Sequence, residues 1–179
     1  MTSRPILPRI AAATLGLAGL VLTAGGAAAQ NTNCIDTLAA MPGASRFVDV
    51  AVRTHVAQDL REVGPFTIFV PTDDAVAKVA PGLANVVFPG QTSGERTADP
   101  VVGPAVINAH ILPGRYTSSS LRPGESVTMR TRAGTQLTIA NEGGAYVLTA
   151  PNGQRAVVTL GDRLCSNGVV HVIDTALVR

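Results

Sequence analysis

The chain has 179 residues, 46% of them hydrophobic but only 3% aromatic, with no tryptophan, three histidines and two cysteines. Lys and Arg number 14 against 12 Asp and Glu, a formal net charge of +2 with no basic run. That composition lacks both the electrostatic footprint and the stacking platform of a nucleic-acid binder, and it offers nothing to an anionic membrane surface.

At the start, Arg4 and Arg9 precede an apolar run over residues 10–22, and Thr23-Ala24-Gly25-Gly26-Ala27-Ala28-Ala29 follows it. A charged n-region, a short apolar core and an Ala-x-Ala site predict a secretory signal over residues 1–29. The run is shorter than the roughly 20 residues of a membrane span, so a retained anchor is the competing reading. No cysteine follows the run directly, which argues against a lipid-anchored mature end. Residues 30–179 then form a single mature domain, placed in the periplasm or outside the cell. Losing Arg4 and Arg9 leaves that domain with 12 basic and 12 acidic residues, hence neutral.

Cys34 and Cys165 lie near the two ends of the mature chain. An even count in an oxidising compartment favours a disulfide, and closing so long a loop contributes roughly 4–5 kcal/mol in the chain-entropy model, as an upper figure. Two buried free thiols are the competing reading. A zinc pair is a poor one, because no His or Cys neighbours either residue.

Residues 35–63 are helical in pattern. Ile35, Leu38 and Ala39 share one face, Pro42-Gly43 breaks it, and Phe47, Val50, Ala51, Thr54, Ala57 and Leu60 continue a second helix. Gly64-Pro65 ends that helix and feeds a short strand. Phe66, Ile68 and Val70 fall on one side of the strand, Thr67 and Phe69 on the other, so it is an interior strand covered on both faces. Pro71 stops it, Thr72 caps a following helix, and Asp73 and Asp74 stand in that helix's first turn, where the dipole favours carboxylates. Residues 88–100 are polar and rich in breakers, a surface loop, and a short helix covers 104–109. From there the period changes. Residues 126–131, 135–141, 145–150, 155–160 and 169–174 are short runs rich in Val, Thr and Ile. Ala133-Gly134, Gly143-Gly144, Pro151-Asn152-Gly153 and Asn167-Gly168 separate them, which is hairpin chemistry. Helices first and an antiparallel meander later make an α+β domain.

Three stretches carry a family resemblance. Thr67-Ile68-Phe69-Val70-Pro71-Thr72-Asp73-Asp74-Ala75-Val76 resembles the first signature of fasciclin (FAS1) domains. Asn108-Ala109-His110-Ile111-Leu112-Pro113-Gly114 resembles the segment around the family's recurrent His. The third stretch, Ser166-Asn167-Gly168-Val169-Val170-His171-Val172-Ile173-Asp174-Thr175-Ala176-Leu177-Val178, resembles its closing signature. A cysteine near each end is similar to the small secreted single-domain bacterial members. The resemblance implies a FAS1 fold, a wedge-shaped two-sheet β-sandwich with helices packed on one side, in which the opening and closing strands lie together in the core. It also implies mostly structural roles for Thr67, Phe69, Pro71, Thr72, Asp73, His110, Asp162, Asn167, Gly168, His171 and Asp174.

The departures bear on function. Ala109 precedes His110 where the family often has Tyr, in a motif associated with adhesion in animal members. Asp162 matches the Asp of their integrin-linked Asp-Ile pair, but Arg163 replaces the Ile, and Val76 stands where Phe is usual. Integrin-type adhesion is therefore not expected.

Candidate chemistry is sparse. No two of His55, His110 and His171 sit at metal-ligand spacing. His55 is expected on a solvated helix face, and His110 and His171 in structural roles. Ser118-Ser119-Ser120 are turn-formers with no nucleophile elbow around them, and there is no phosphate-cradling glycine loop or paired-acid signature. No catalytic residue, cofactor or metal is expected. The first functional reading is a non-enzymatic interaction or adhesion-type module that binds an envelope or extracellular protein or polymer. The alternative is a carrier of an apolar small molecule, a lipid or pigment, in a groove between the opening helices and residues 88–104.

Overall fold

In this computed structural model, which describes residues 32–62, 64–88 and 99–178, three short helices lead into the first strand: α1 (Cys34–Ala39), α2 (Ser45–Arg53) and α3 (Val56–Glu62). The expected signal over 1–29 and most of the expected loop over 88–100 lie outside the described residues. The single helix expected from Phe47 to Arg61 is split in two. Thr54 donates its hydroxyl to the Val50 carbonyl at 2.7 Å, a side-chain bond that competes with the helix ladder. His55 then takes a left-handed φ of 61° and turns the chain. His55 is accordingly exposed, but at a corner and not on a helix face.

The strand β1 (Phe66–Pro71) is buried along its whole length. Phe66, Ile68 and Val70 pack with Ile35, Leu38, Phe47 and Leu60 beneath the helices. Phe69, on the other face, packs with Leu112, Leu137, Ile139, Leu148 and Ile173. The two-sided burial follows from the apolar residues on both faces of the strand. After β1 come α4 (Asp73–Ala77), α5 (Pro81–Val87) and α6 (Val102–Ala109), the last beginning two residues earlier than the sequence pattern suggests.

Thr72 is the N-cap of α4, its hydroxyl accepting from Ala75 N at 3.1 Å. Asp73 does more than face its own helix dipole. Its carboxylate accepts from Arg46 N at 2.9 Å, Ser45 N at 3.3 Å and the Ser45 hydroxyl at 2.7 Å. Those are orphan donors at the start of α2, whose own N-cap, Ala44, has no side-chain acceptor. One aspartate thus ties the start of α2 to the corner that leaves β1.

The remaining strands are β2 (Ile111–Pro113), β3 (Ser126–Arg130), β4 (Gln136–Glu142), β5 (Ala145–Thr149), β6 (Arg155–Cys165) and β7 (Gly168–Ile173). They form one ladder in the order β2-β1-β7-β6-β5-β4-β3. β1 and β7 are parallel, from Phe66 opposite Gly168 to Pro71 opposite Ile173, and the other pairs are antiparallel. The expected two-sheet wedge takes the form of two half-sheets that share β6. Arg155 to Val157 pair with β5, and from Val158 to Cys165 the strand pairs with β7. β6 runs on to Cys165 where the sequence suggests an end at Leu160. Register shifts between Val158 and Arg163 absorb Gly161 and Asp162 without ending the strand.

Two variants test the α4 corner. Thr72→Ala removes one cap and costs about 1 kcal/mol. Asp73→Ala strips the donors at the start of α2 and costs at least as much, about 1–2 kcal/mol. Urea denaturation measures both, and an Asp73→Ala protein as stable as the parent contradicts the assignment.

Candidate functional site

Phe69 on β1 and His171 on β7 are register partners in the parallel ladder, so their side chains emerge on the same face and stack, ring centroids 5.5 Å apart with planes 24° off parallel. Both are nearly fully buried. The Nδ1 of His171 accepts from Asp162 N at 3.2 Å, and its Nε2–H donates to the Tyr116 carbonyl at 2.9 Å. That pair of bonds selects the neutral tautomer. Burial lowers the His171 pKa, against the opposing pulls of the Tyr116 carbonyl and the Asp162 carboxylate.

Thr67 fixes the chain that arches over these rings. Its hydroxyl donates to the Gly114 carbonyl at 2.8 Å and accepts from Tyr116 N at 2.9 Å. The arch continues into a single 3-10 turn, Ser118–Ser120. Asp162 accepts from Ser118 N at 2.7 Å and from the Ser118 hydroxyl, and the Tyr146 hydroxyl donates to the Ser118 carbonyl. The Asp162 carboxylate is therefore committed to holding the turn.

Between arch and sheets lies a cavity of about 420 Å³. Its floor is Phe69, His171 and Ile139, all buried, and one wall is Val127 and Met129 of β3, half-buried. Tyr116, Leu121, Tyr146 and Val158 complete the apolar lining, and the exposed residues Ser120, Gly144 and Asp162 mark the rim. A second cavity, about 340 Å³, lies between α6 and the C-terminal stretch and includes Leu83, Val102, Ala105, Leu137 and Leu177. Most of the 88–104 side of the expected groove, residues 89–98, lies outside the described residues, and its Val101 and Val102 line the second cavity. Ile35, Leu38, Phe47 and Leu60 of α1–α3 are wholly taken up in the core beneath the helices and line neither cavity.

The residues singled out in the sequence fall into separate places. Phe69, Asp162 and His171 line the wedge cavity, and Thr67 holds the arch above it. Thr72 and Asp73, after Pro71 ends β1, build the α4 corner. Asn167 and Gly168 meet Cys34 and Cys165 at the other end of β7. There the two Sγ atoms lie at disulfide distance with Cα atoms 5.1 Å apart. Asn167 accepts from Cys34 N at 2.9 Å and donates to the Leu60 carbonyl at 2.6 Å. Asp174 accepts from Val157 N at 2.8 Å and pins the register of β6. His110, fully buried, donates from Nδ1 to the Val106 carbonyl at 2.7 Å and accepts at Nε2 from Leu177 N at 2.9 Å. It fastens the end of the chain to α6 and meets the edge of Phe47 at 5.6 Å. Tyr116, Leu121, Val127, Met129 and Tyr146 are the cavity residues that sequence reasoning missed. The alternation of β3, with Val127 and Met129 less exposed than Ser126, Thr128 and Arg130, was the one signal available for an inward face.

Comparison with known proteins follows the same lines. The family described as Fasciclin domain matches residues 42–179. The uncharacterized protein sll1735 of Synechocystis sp. is 25% identical over 133 residues, covering 74% of this chain and 87% of that one. A solved FAS1 domain pair from the insect cell adhesion molecule fasciclin I superposes with a TM-score of 0.69 at 25% identity, over 84% of this chain. The chain spans about half of that structure, 52% of its length.

The buried histidines make stability depend on pH. Burial holds His110 at a pKa of about 4 against the ordinary 6.5 and pushes His171 the same way. Between those values the unfolded chain binds more protons than the folded one. Stability is therefore fullest above about pH 6.5 and falls as the pH drops toward 4, by about 2 kcal/mol from His110 between pH 7 and pH 5. Urea titrations at the two pH values check this, with a His110→Asn variant, less stable throughout, losing distinctly less across the interval. Equal pH sensitivity of parent and variant contradicts it.

Proposed function

The chain belongs to the fasciclin domain family, and on that premise we propose that it is an exported, single-domain, non-enzymatic interaction module acting in the periplasm or outside the cell. Its partner is an envelope or extracellular protein or polymer. The observation that carries this reading is the likeness, over 84% of the chain, to a domain pair from a cell adhesion molecule. Two features support export: the charged and apolar pattern of residues 1–29, and a Cys34–Cys165 pair at disulfide distance, which an oxidising compartment would close. Among the described residues no helix is long and apolar enough to cross a membrane.

The contact is not of the integrin type. Asp162 is bonded to Ser118 and so is not free to reach a partner, Arg163 follows it, and Ala109 precedes the fully buried His110. The side chains with the chemistry for catalysis, His110, His171 and Asp162, each spend their hydrogen-bonding atoms on backbone or on Ser118. That use supports a binding module over an enzyme.

A second reading, a carrier of an apolar small molecule, is favoured by the wedge cavity of about 420 Å³, within the range of ordinary ligand sites.

Two measurements test the first reading. Alkylation and mass spectrometry of the protein exported by its own host find a chain beginning at Gln30 with no free thiol. A start at Met1 or two alkylated cysteines removes the export argument. A pull-down from envelope extract with that oxidised protein retains a specific protein or polysaccharide, and retention of nothing above a denatured control overturns the module reading.

A further inference from the structure

The wedge cavity has a chemical profile that narrows its occupant. Both nitrogens of His171 on the floor are already bonded, to Tyr116 O and Asp162 N. The Tyr146 hydroxyl is bonded to Ser118 O and to the Asn141 amide. A polar group carried to that depth would lose its water without gaining those partners. The deep part of the ligand is therefore apolar. At the rim the balance changes. No lysine or arginine stands among the described lining residues, whereas the Asp162 carboxylate does. An anionic head would meet like charge with no cation to offset it. The Thr117 hydroxyl is taken up by the Ser119 hydroxyl and by Ser120 N, whereas the Ser120 hydroxyl only accepts, from Thr117 N at 3.1 Å, and keeps its own proton to donate to a neutral head.

Size sets the remaining limit. A volume of about 420 Å³ is that of about fourteen waters at roughly 30 Å³ each, so the part of the occupant seated inside has about fourteen non-hydrogen atoms. A long polyene or a phospholipid would be seated there only in part.

We infer that the cavity between the half-sheets binds a compact, neutral, apolar molecule bearing one hydroxyl or carbonyl at its outer end, the size and chemistry of a sesquiterpenoid alcohol. The inference rests on the carrier reading and deepens it. The aliphatic or ring body lies against Phe69, Ile139 and Met129, and the polar end faces the Ser118–Ser120 turn.

The test uses the oxidised exported protein and the neutral fluorophore N-phenyl-1-naphthylamine. The parent binds it with a rise in emission. Farnesol displaces it, and dodecanoate at the same concentration does not. Val127→Phe and Met129→Phe, which enlarge side chains on the half-buried wall of the cavity, weaken binding by about tenfold or more. Ala105→Trp, which blocks the second cavity beside α6, leaves binding unchanged. The urea midpoint of each variant establishes that it is folded, and the two wall variants serve as independent fillers should one fail. Displacement by dodecanoate as readily as by farnesol overturns the neutral-head assignment. Loss of binding in Ala105→Trp, with both wall variants binding normally, moves the site to the helix side. Either result leaves the carrier reading standing. A folded parent that binds neither the fluorophore nor farnesol overturns the inference and the carrier reading together.

Discussion

The fold closes at Gly168. A Cβ there would stand 2.1 Å from the Phe66 carbonyl oxygen and 3.0 Å from the Cys34 sulfur, a distance no side chain survives, so β7 enters the core only as glycine. Around that contact the chain gathers its most distant parts. Phe66 N donates to the Asn167 carbonyl at 3.0 Å, and the Asn167 side chain bridges Cys34 N and the Leu60 carbonyl. Gly64, whose Cβ would fall 2.6 Å from the Asn167 carbonyl, lets the incoming chain pass. The parallel β1–β7 ladder begins there, with residues 72–167 as its crossover. Closing so long a loop is entropically costly. The cost is met at one corner, by close backbone packing, the Asn167 bridge and the Cys34–Cys165 contact.

Local chemistry was legible in the sequence where it was self-contained. The two apolar faces of β1 and the Thr72 cap could be read from adjacent residues, and so could the Gly-bearing hairpin spacers, because period and turn chemistry are properties of neighbours. Legibility failed where the deciding partner was remote or subtle. Thr54 continues an apolar helical face, yet its hydroxyl turns back on Val50 and the helix stops. Asp73 looks like a carboxylate at its own helix N-terminus, and its capping of α2, nearly thirty residues upstream, has no local signature. The three-residue β2 exists through pairing with β1 and is too short to show a period.

The candidate site was legible only in fragments, for the same reason. Phe69, Asp162 and His171 drew notice as motif positions, and each carries part of the cavity. The aromatic residues that complete it, Tyr116 and Tyr146, stand singly in an arch and a short strand. A lone tyrosine is most often a surface or core residue, and only the register of β1 against β7 and the bending of β6 bring these two to one place. The family resemblance therefore located the strands that make the wedge and left its contents unread.

The bend in β6 links the fold to that cavity. A strand that pairs with β5 at one end and β7 at the other must change direction, and a bulge does so at the expense of regular pairing. Here the irregularity spans Val158 to Arg163 and places Asp162 at a φ of 56°, a left-handed conformation that aspartate tolerates better than most residues. The distortion has two local consequences. It turns Asp162 N toward His171 and its carboxylate toward the Ser118 turn, fixing floor and rim together. It also brings Gly161 beneath the His171 ring, where a Cβ would come within 3.3 Å of Nδ1. A side chain at 161 would crowd that ring, so the glycine suits its place in the bulge. The irregularity that lets one ladder fold into a wedge is thus the same one that ties the floor of the cavity, at His171, to its rim, at Ser118.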